Sequence, residues 1–183
     1  MNFLIISFFY CIVLTLNVLL KYIGVFIFLV FLQVLLLNNI TISNYGITPF
    51  FYVLLIIILP FETPKWSLLI FAFFLGLFID MFEDTGGVHA AATVAIAFIR
   101  PFILKIFSVR DGYSPESKPS ISSYGLAWFF KYATVLTIIH NIIYFLVLEF
   151  SFQNFILTLF KAVLTSFFTI LLIIISQYLV YRK

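Results

Sequence analysis

Residues 76–101 read GLFIDMFEDTGGVHAAATVAIAFIRP, two apolar runs joined by acids, a glycine pair and a histidine. The flanking runs, 66–82 and 88–107, are each long enough as helices to cross a hydrocarbon core of about 30 Å. Lipid offers no partner to a backbone N–H or C=O, so such runs satisfy their own amides by coiling. The stretch therefore predicts an antiparallel helix pair, with Glu83, Asp84, Thr85, Gly86 and Gly87 in the tight turn between. Outward from it the pattern repeats, at 3–20, 22–37, 46–61, 125–148 and 154–180. None of these runs shows the strict inside/outside alternation of a barrel strand. The fold class is all-α, a polytopic membrane protein.

Composition agrees. With 64% hydrophobic and 9% charged residues and a mean hydropathy of +1.24, a chain of 183 residues has too little polar surface to cover a water-soluble globule. The net charge of +3 comes from a few Lys and Arg beside the apolar runs, which implies membrane orientation and contact with lipid headgroups, and no nucleic-acid signal is present. The single cysteine, Cys11, sits in an apolar run and supplies neither a disulfide framework nor a thiolate metal site.

Positive charges mark alternate connections: Lys21, then Lys65, then Lys105, Arg110 and Lys118, then Arg182 and Lys183. The remaining turns are uncharged or acidic, with Glu83 and Asp84 in one and Glu149 in another. Six crossings from residue 22 onward follow, with both ends of that core in the cytoplasm. A seventh crossing at 3–20 would break the alternation, and the run lacks the flanks of a signal peptide. Residues 1–18 are therefore read as a hydrophobic extension, either upstream of the true start or an extra helix, and 19–183 as the transmembrane domain. Thr48 and Pro49 read as the start of a helix and Pro60 and Pro64 as its end. That helix would be about 20 Å long, short for a span, whereas 154–180 would be about 40 Å and tilted. The Ser, Pro and Gly content of the loop at 108–123 predicts a mobile connection.

The polar residues within the apolar runs hold most of the functional information. In the hairpin, Asp80, Asp84 and His89 are close enough to suggest metal or acid/base chemistry. The commoner reading is structural: acids at the bilayer surface, Asp84 or Thr85 capping the next helix, and glycines permitting the turn. No nucleophile, phosphate-loop or zinc motif supports catalysis, so the expectation is a non-enzyme with no metal and no cofactor. Arg100 lies about 18 Å into its helix, next to Pro101, too deep to reach Asp80 near the outer end of the neighbouring helix. Lys131 falls at a similar depth. Two cations at one level call for a carboxylate such as Glu62, a lipid phosphate or a partner protein, unless Arg100 snorkels to the headgroups. A secondary polar group comprises His140, Asn141, Glu149 and Lys161; His140 and Lys161 either face the bundle interior with Asp80 and His89 or are satisfied locally. Ala90, Ala91 and Ala92 would let helices approach closely.

The run FFLGLFIDMFEDTGGVHAAATVAIAFIRPFIL, with LQVLLLNNI and PFFYVLLIIILPFETPKW before it and IIHNIIYFLVLEFSF after it, resembles the rod-shape-determining MreD family over about residues 21–183. The most specific part is carried by Gly76, Leu77, Asp80, Gly87, His89 and Ala90. The resemblance implies a six-helix, non-enzymatic scaffold of the bacterial inner membrane. Such a scaffold binds MreC, and that pair links MreB filaments to the peptidoglycan synthases of the elongation machinery. The expected contact on this chain is the hairpin around Asp80 to His89 and the face bearing Arg100, by packing and a few hydrogen bonds. The family fold is also similar to substrate-binding subunits of vitamin transporters, which keeps a small-molecule transporter as the alternative; its pocket would be the group Asp80, His89, His140 and Lys161.

Overall fold

The computed structural model describes residues 20–39, 47–108, 112–114, 117–150 and 155–181. The expected extension at 1–18, Cys11, Arg110, Arg182 and Lys183 lie outside the described residues. Within them the chain is helical, with no strand: α1 (Leu20–Asn39), α2 (Leu54–Ile58, entered through a 3₁₀ turn Phe51–Val53), α3 (Lys65–Glu83), α4 (Val88–Ile106), α5 (Ile121–Tyr124), α6 (Leu126–Glu149) and α7 (Phe155–Tyr181). The helical membrane bundle read from the apolar runs is the observed fold.

Five of these helices, α1, α3, α4, α6 and α7, are long and apolar enough to cross a membrane. The expected six require a correction at 46–61. That segment holds only eight helical residues, about 12 Å of rise. It neither lengthens nor meets lipid. Tyr52, Val53, Leu55, Ile56 and Ile57 are fully buried, so the segment runs inside the bundle, where non-helical backbone is tolerated because protein groups can satisfy it. Thr48 and Pro49 do not open the helix; Phe50 is its N-cap residue, and no side chain of its own caps it.

Hydrogen bonds give the direction of this inner segment. Its start is bonded to Gln33, late in α1, and its end to Arg100, late in α4. It therefore runs down the length of α4 from the level of His89 to that of Arg100, about 16 Å. The chain alternates direction from α1 through the inner segment, α3, α4, α6 and α7. The start of α1 and the end of α7 thus share one side, hereafter the lysine side. The α3–α4 and α6–α7 connections share the other, the turn side.

The α3–α4 hairpin is as tight as its glycines suggest. Asp84 closes α3 in the left-handed region (φ 54°), and Gly86 (φ 61°) and Gly87 (φ 99°) complete the turn. A Cβ on Gly76 would collide with the backbone of Ala90 and with Thr93 Oγ1, so the two helices meet at van der Waals distance. Thr93 Oγ1 adds a bond across them to Ala72 O at 2.8 Å. Of the alanine run, Ala90 and Ala92 pack inward and Ala91 is exposed.

In its described part the loop after α4 is tied back to the helix end. Tyr113 Oη donates to Leu104 O and Phe107 O, and its ring stacks on Phe61 at 4.2 Å. Burial pushes the Tyr113 phenol up to about 12. Trp128 Nε1 also donates to Phe107 O, at 2.8 Å. Two aromatic side chains thus take the carbonyls that the end of α4 leaves open. Aromatic side chains anchor the described part of a connection whose Ser and Pro content predicts mobility.

Candidate functional site

A short helix away from water leaves unpaired N–H groups at its start and unpaired carbonyls at its end, and each costs free energy unless another group meets it. Both ends of the inner segment are met by side chains from surrounding helices. At the turn-side end, Phe51 N donates to Gln33 Oε1 at 2.9 Å and Phe50 N to Thr169 Oγ1 at 3.0 Å. Gln33 Nε2 donates to Pro49 O at 3.0 Å and Asn38 Oδ1 at 2.8 Å, which fixes the orientation of its amide. At the lysine-side end, Arg100 donates to Leu59 O through Nη2 and to Tyr132 Oη through Nε. Tyr132 Oη in turn donates to Ile57 O at 3.2 Å.

Arg100 is therefore interior, 1% exposed, and neither snorkels nor presents itself to a partner. Its partners are neutral carbonyl and phenol oxygens in place of the expected carboxylate or phosphate. A cation at the negative end of a helix is favourable in its own right. Glu62 and Lys131, the expected companions, are both exposed. Pro101 lies within α4, which continues past it to Ile106.

Above this cap sits a second polar group. Tyr52 Oη lies 2.6 Å from His89 Nδ1 and 3.1 Å from His140 Nε2, so one hydroxyl joins two fully buried imidazoles, donating to one and accepting from the other. His89 Nε2 extends the chain to Glu83 at 2.9 Å and His140 Nδ1 extends it to Asn141 Oδ1 at 3.0 Å. Asn141 Nδ2 then donates to Ser166 Oγ on α7 at 2.8 Å. The Phe50 ring packs edge-on against both histidines and against Tyr144.

Asp80 has a different task. Its Oδ1 accepts from Thr85 Oγ1 and His89 N, and its Oδ2 from Ala90 N at 2.8 Å. The carboxylate of α3 thus caps the start of α4, a role expected of Asp84 or Thr85. Asp84 is exposed instead, because α3 ends before it could share a face with Asp80. Lys161 does not join the histidines; its ammonium pairs with Glu149 at 2.9 Å, and Thr158 Oγ1 donates to the same carboxylate. The proposed pocket of Asp80, His89, His140 and Lys161 accordingly divides into a cap, a two-histidine relay through Tyr52, and a surface ion pair. Among the described residues no three His, Cys, Asp or Glu side chains form a group able to hold a metal.

Sequence reasoning missed Gln33, Tyr52, Tyr132 and Thr169. Gln33 had a signal: it is the one amide in the run 22–37. The hydroxyls had none, since Thr and Tyr are ordinary in membrane helices.

No family model, no curated protein and no solved structure matches the chain.

Charge divides the two sides. Lys21, Lys65, Lys105, Lys118 and Lys131 are all exposed toward the lysine side. The Lys118 ammonium is held below the usual lysine range, first by partial burial and then by the charge of Lys21.

Proposed function

We propose that this chain is an MreD-type scaffold of the bacterial inner membrane, with its lysine side in the cytoplasm. In this reading it binds MreC and couples MreB filaments to the peptidoglycan synthases of the elongation machinery. One observation carries the reading: the buried Gln33, Tyr52, His89, Arg100, Tyr132 and His140 side chains are bonded to one another or to the backbone of the inner segment, which makes them parts of a rigid platform. Gly76, Leu77, Asp80, Gly87, His89 and Ala90, on which the family resemblance rests, all belong to the α3–α4 hairpin of that platform. Asp80 and Arg100 then act on a partner only by holding the platform's shape. The contact surface lies on the exposed end of the hairpin, at Phe78, Met81, Phe82 and Asp84.

The test is co-purification from a mild-detergent extract of cells making the tagged full chain. MreC is expected to remain bound. Phe82→Ala with Asp84→Ala should release most of it while leaving the melting temperature of the scaffold unchanged. A wild-type preparation without MreC would overturn the proposal.

A further inference from the structure

The α6–α7 pair is pinned at one end and open at the other. Toward the turn side, Lys161 and Thr158 hold Glu149, and lower down Asn141 is bonded to Ser166. Below Ser166 no hydrogen bond joins side chains of the two helices among the described residues, and a groove of about 840 Å³ lies between them. Its walls run from Leu126 to Ile138 on α6 and from Val163 to Ile175 on α7, each about 18 Å of helix. That length matches one leaflet of a hydrocarbon core of about 30 Å and falls well short of both. A partner helix crossing the whole membrane would lose its seat about halfway, at the level of Ile138 and Val163 where the groove ends. Acyl chains anchored at the lysine-side surface would end there.

The headgroup has a complement as well. Lys131 lies four residues after Ala127 and three before Thr134, both in the groove wall, so it flanks the groove on the neighbouring strip of α6 without lining it. Its ammonium is exposed and has no ion-pair partner among the described residues. From the lower part of α6 a lysine arm reaches the headgroup level by extending toward the surface. The surrounding side is rich in lysine, with Glu62 its exposed carboxylate among the described residues, which selects for negative charge.

We infer that the α6–α7 groove is a binding site for an anionic two-chain phospholipid, which lays its acyl chains against Ala127, Phe130, Phe167 and Ile170 and sets its phosphate on Lys131. The site holds one leaflet's lipid on the lysine side.

Native mass spectrometry of the full chain in detergent tests this with phosphatidylglycerol and phosphatidylcholine of identical acyl chains. Phosphatidylglycerol should be retained several-fold better. Lys131→Gln, a surface change that leaves the fold intact, should reduce its retention to the phosphatidylcholine level. Ala127→Trp, which fills the groove, should lower retention of both lipids, with an unchanged circular dichroism spectrum as the check on folding. Equal retention of the two lipids by the wild type, or an unaltered preference in Lys131→Gln, would overturn the inference. So would a photo-reactive residue at Val163 that cross-links in membranes to a second copy or another protein in preference to lipid.

Discussion

The two ends of the inner segment are held by different chemistry. The start receives neutral acceptors, the Gln33 amide and the Thr169 hydroxyl, each meeting one N–H. The end receives a guanidinium and a phenol that meet the carbonyls of Leu59 and Ile57 together. A helix end presents partial negative charge on its carbonyls, so a cation there gains from the whole segment's dipole as well as from individual hydrogen bonds. The start needs only acceptors. The lesson is that a charge buried in a membrane protein does not by itself indicate a counter-ion, a substrate or a partner, because unpaired backbone can be its reason for being there.

The comparison predicts an order of effects. Arg100→Ala removes the charged cap of the inner segment, leaves Leu59 O unpaired and opens a cavity, and should cost about 3–5 kcal/mol of stability in detergent unfolding. Arg100→Lys should recover part of this, since the charge survives but the fork that serves Leu59 and Tyr132 together does not. A fully stable Arg100→Ala protein would remove the asymmetry altogether. Gln33→Leu is next: it strands Phe51 N and Pro49 O, and a loss of about 1–3 kcal/mol is expected in the same assay. If it matched Arg100→Ala, hydrogen bonding alone would account for both ends and the dipole would be superfluous. Smaller still is Thr169→Val, about 0.6 kcal/mol, the average measured for side-chain hydrogen bonds between membrane helices.

Double substitutions sharpen the same contrast. Tyr132→Phe and Arg100→Ala touch one network and should combine non-additively in unfolding experiments. Gln33→Leu and Arg100→Ala, at opposite ends, should add to within about 0.5 kcal/mol. Coupling between the distant pair would mean that the segment shifts as a rigid rod when either end is released.

Much of the bundle was legible in the residues. The runs at 66–82, 88–107, 125–148 and 154–180 differ from α3, α4, α6 and α7 by a residue or two, because continuous hydrophobicity over a fixed length is a one-dimensional signal. The Gly86–Gly87 turn was equally plain, since its positive φ values call for glycine. The run at 46–61 looked like another span, short but apolar. Its brevity was visible, but burial on every side was not, because residues facing lipid and residues facing protein have the same composition.

The site was legible only in its members. Asp80, His89, Arg100 and His140 stood out as polar residues in apolar helices, yet depth counting along separate helices could not pair them. It grouped Lys161 with the histidines, and it sought an acid for Arg100. The pairings depend on rotation about each helix axis and on an inner segment whose ends demand donors and acceptors.

From the chain alone came the all-helical membrane class, the positions of four long helices and the glycine turn, because each follows from contiguous residues facing a uniform solvent. Tertiary structure alone decided that one apolar run is an internal piece, that Arg100 caps it, and that Tyr52 joins His89 to His140. Those outcomes rest on which backbone groups the packing leaves unpaired, and that is a property of the assembled bundle, absent from any single helix.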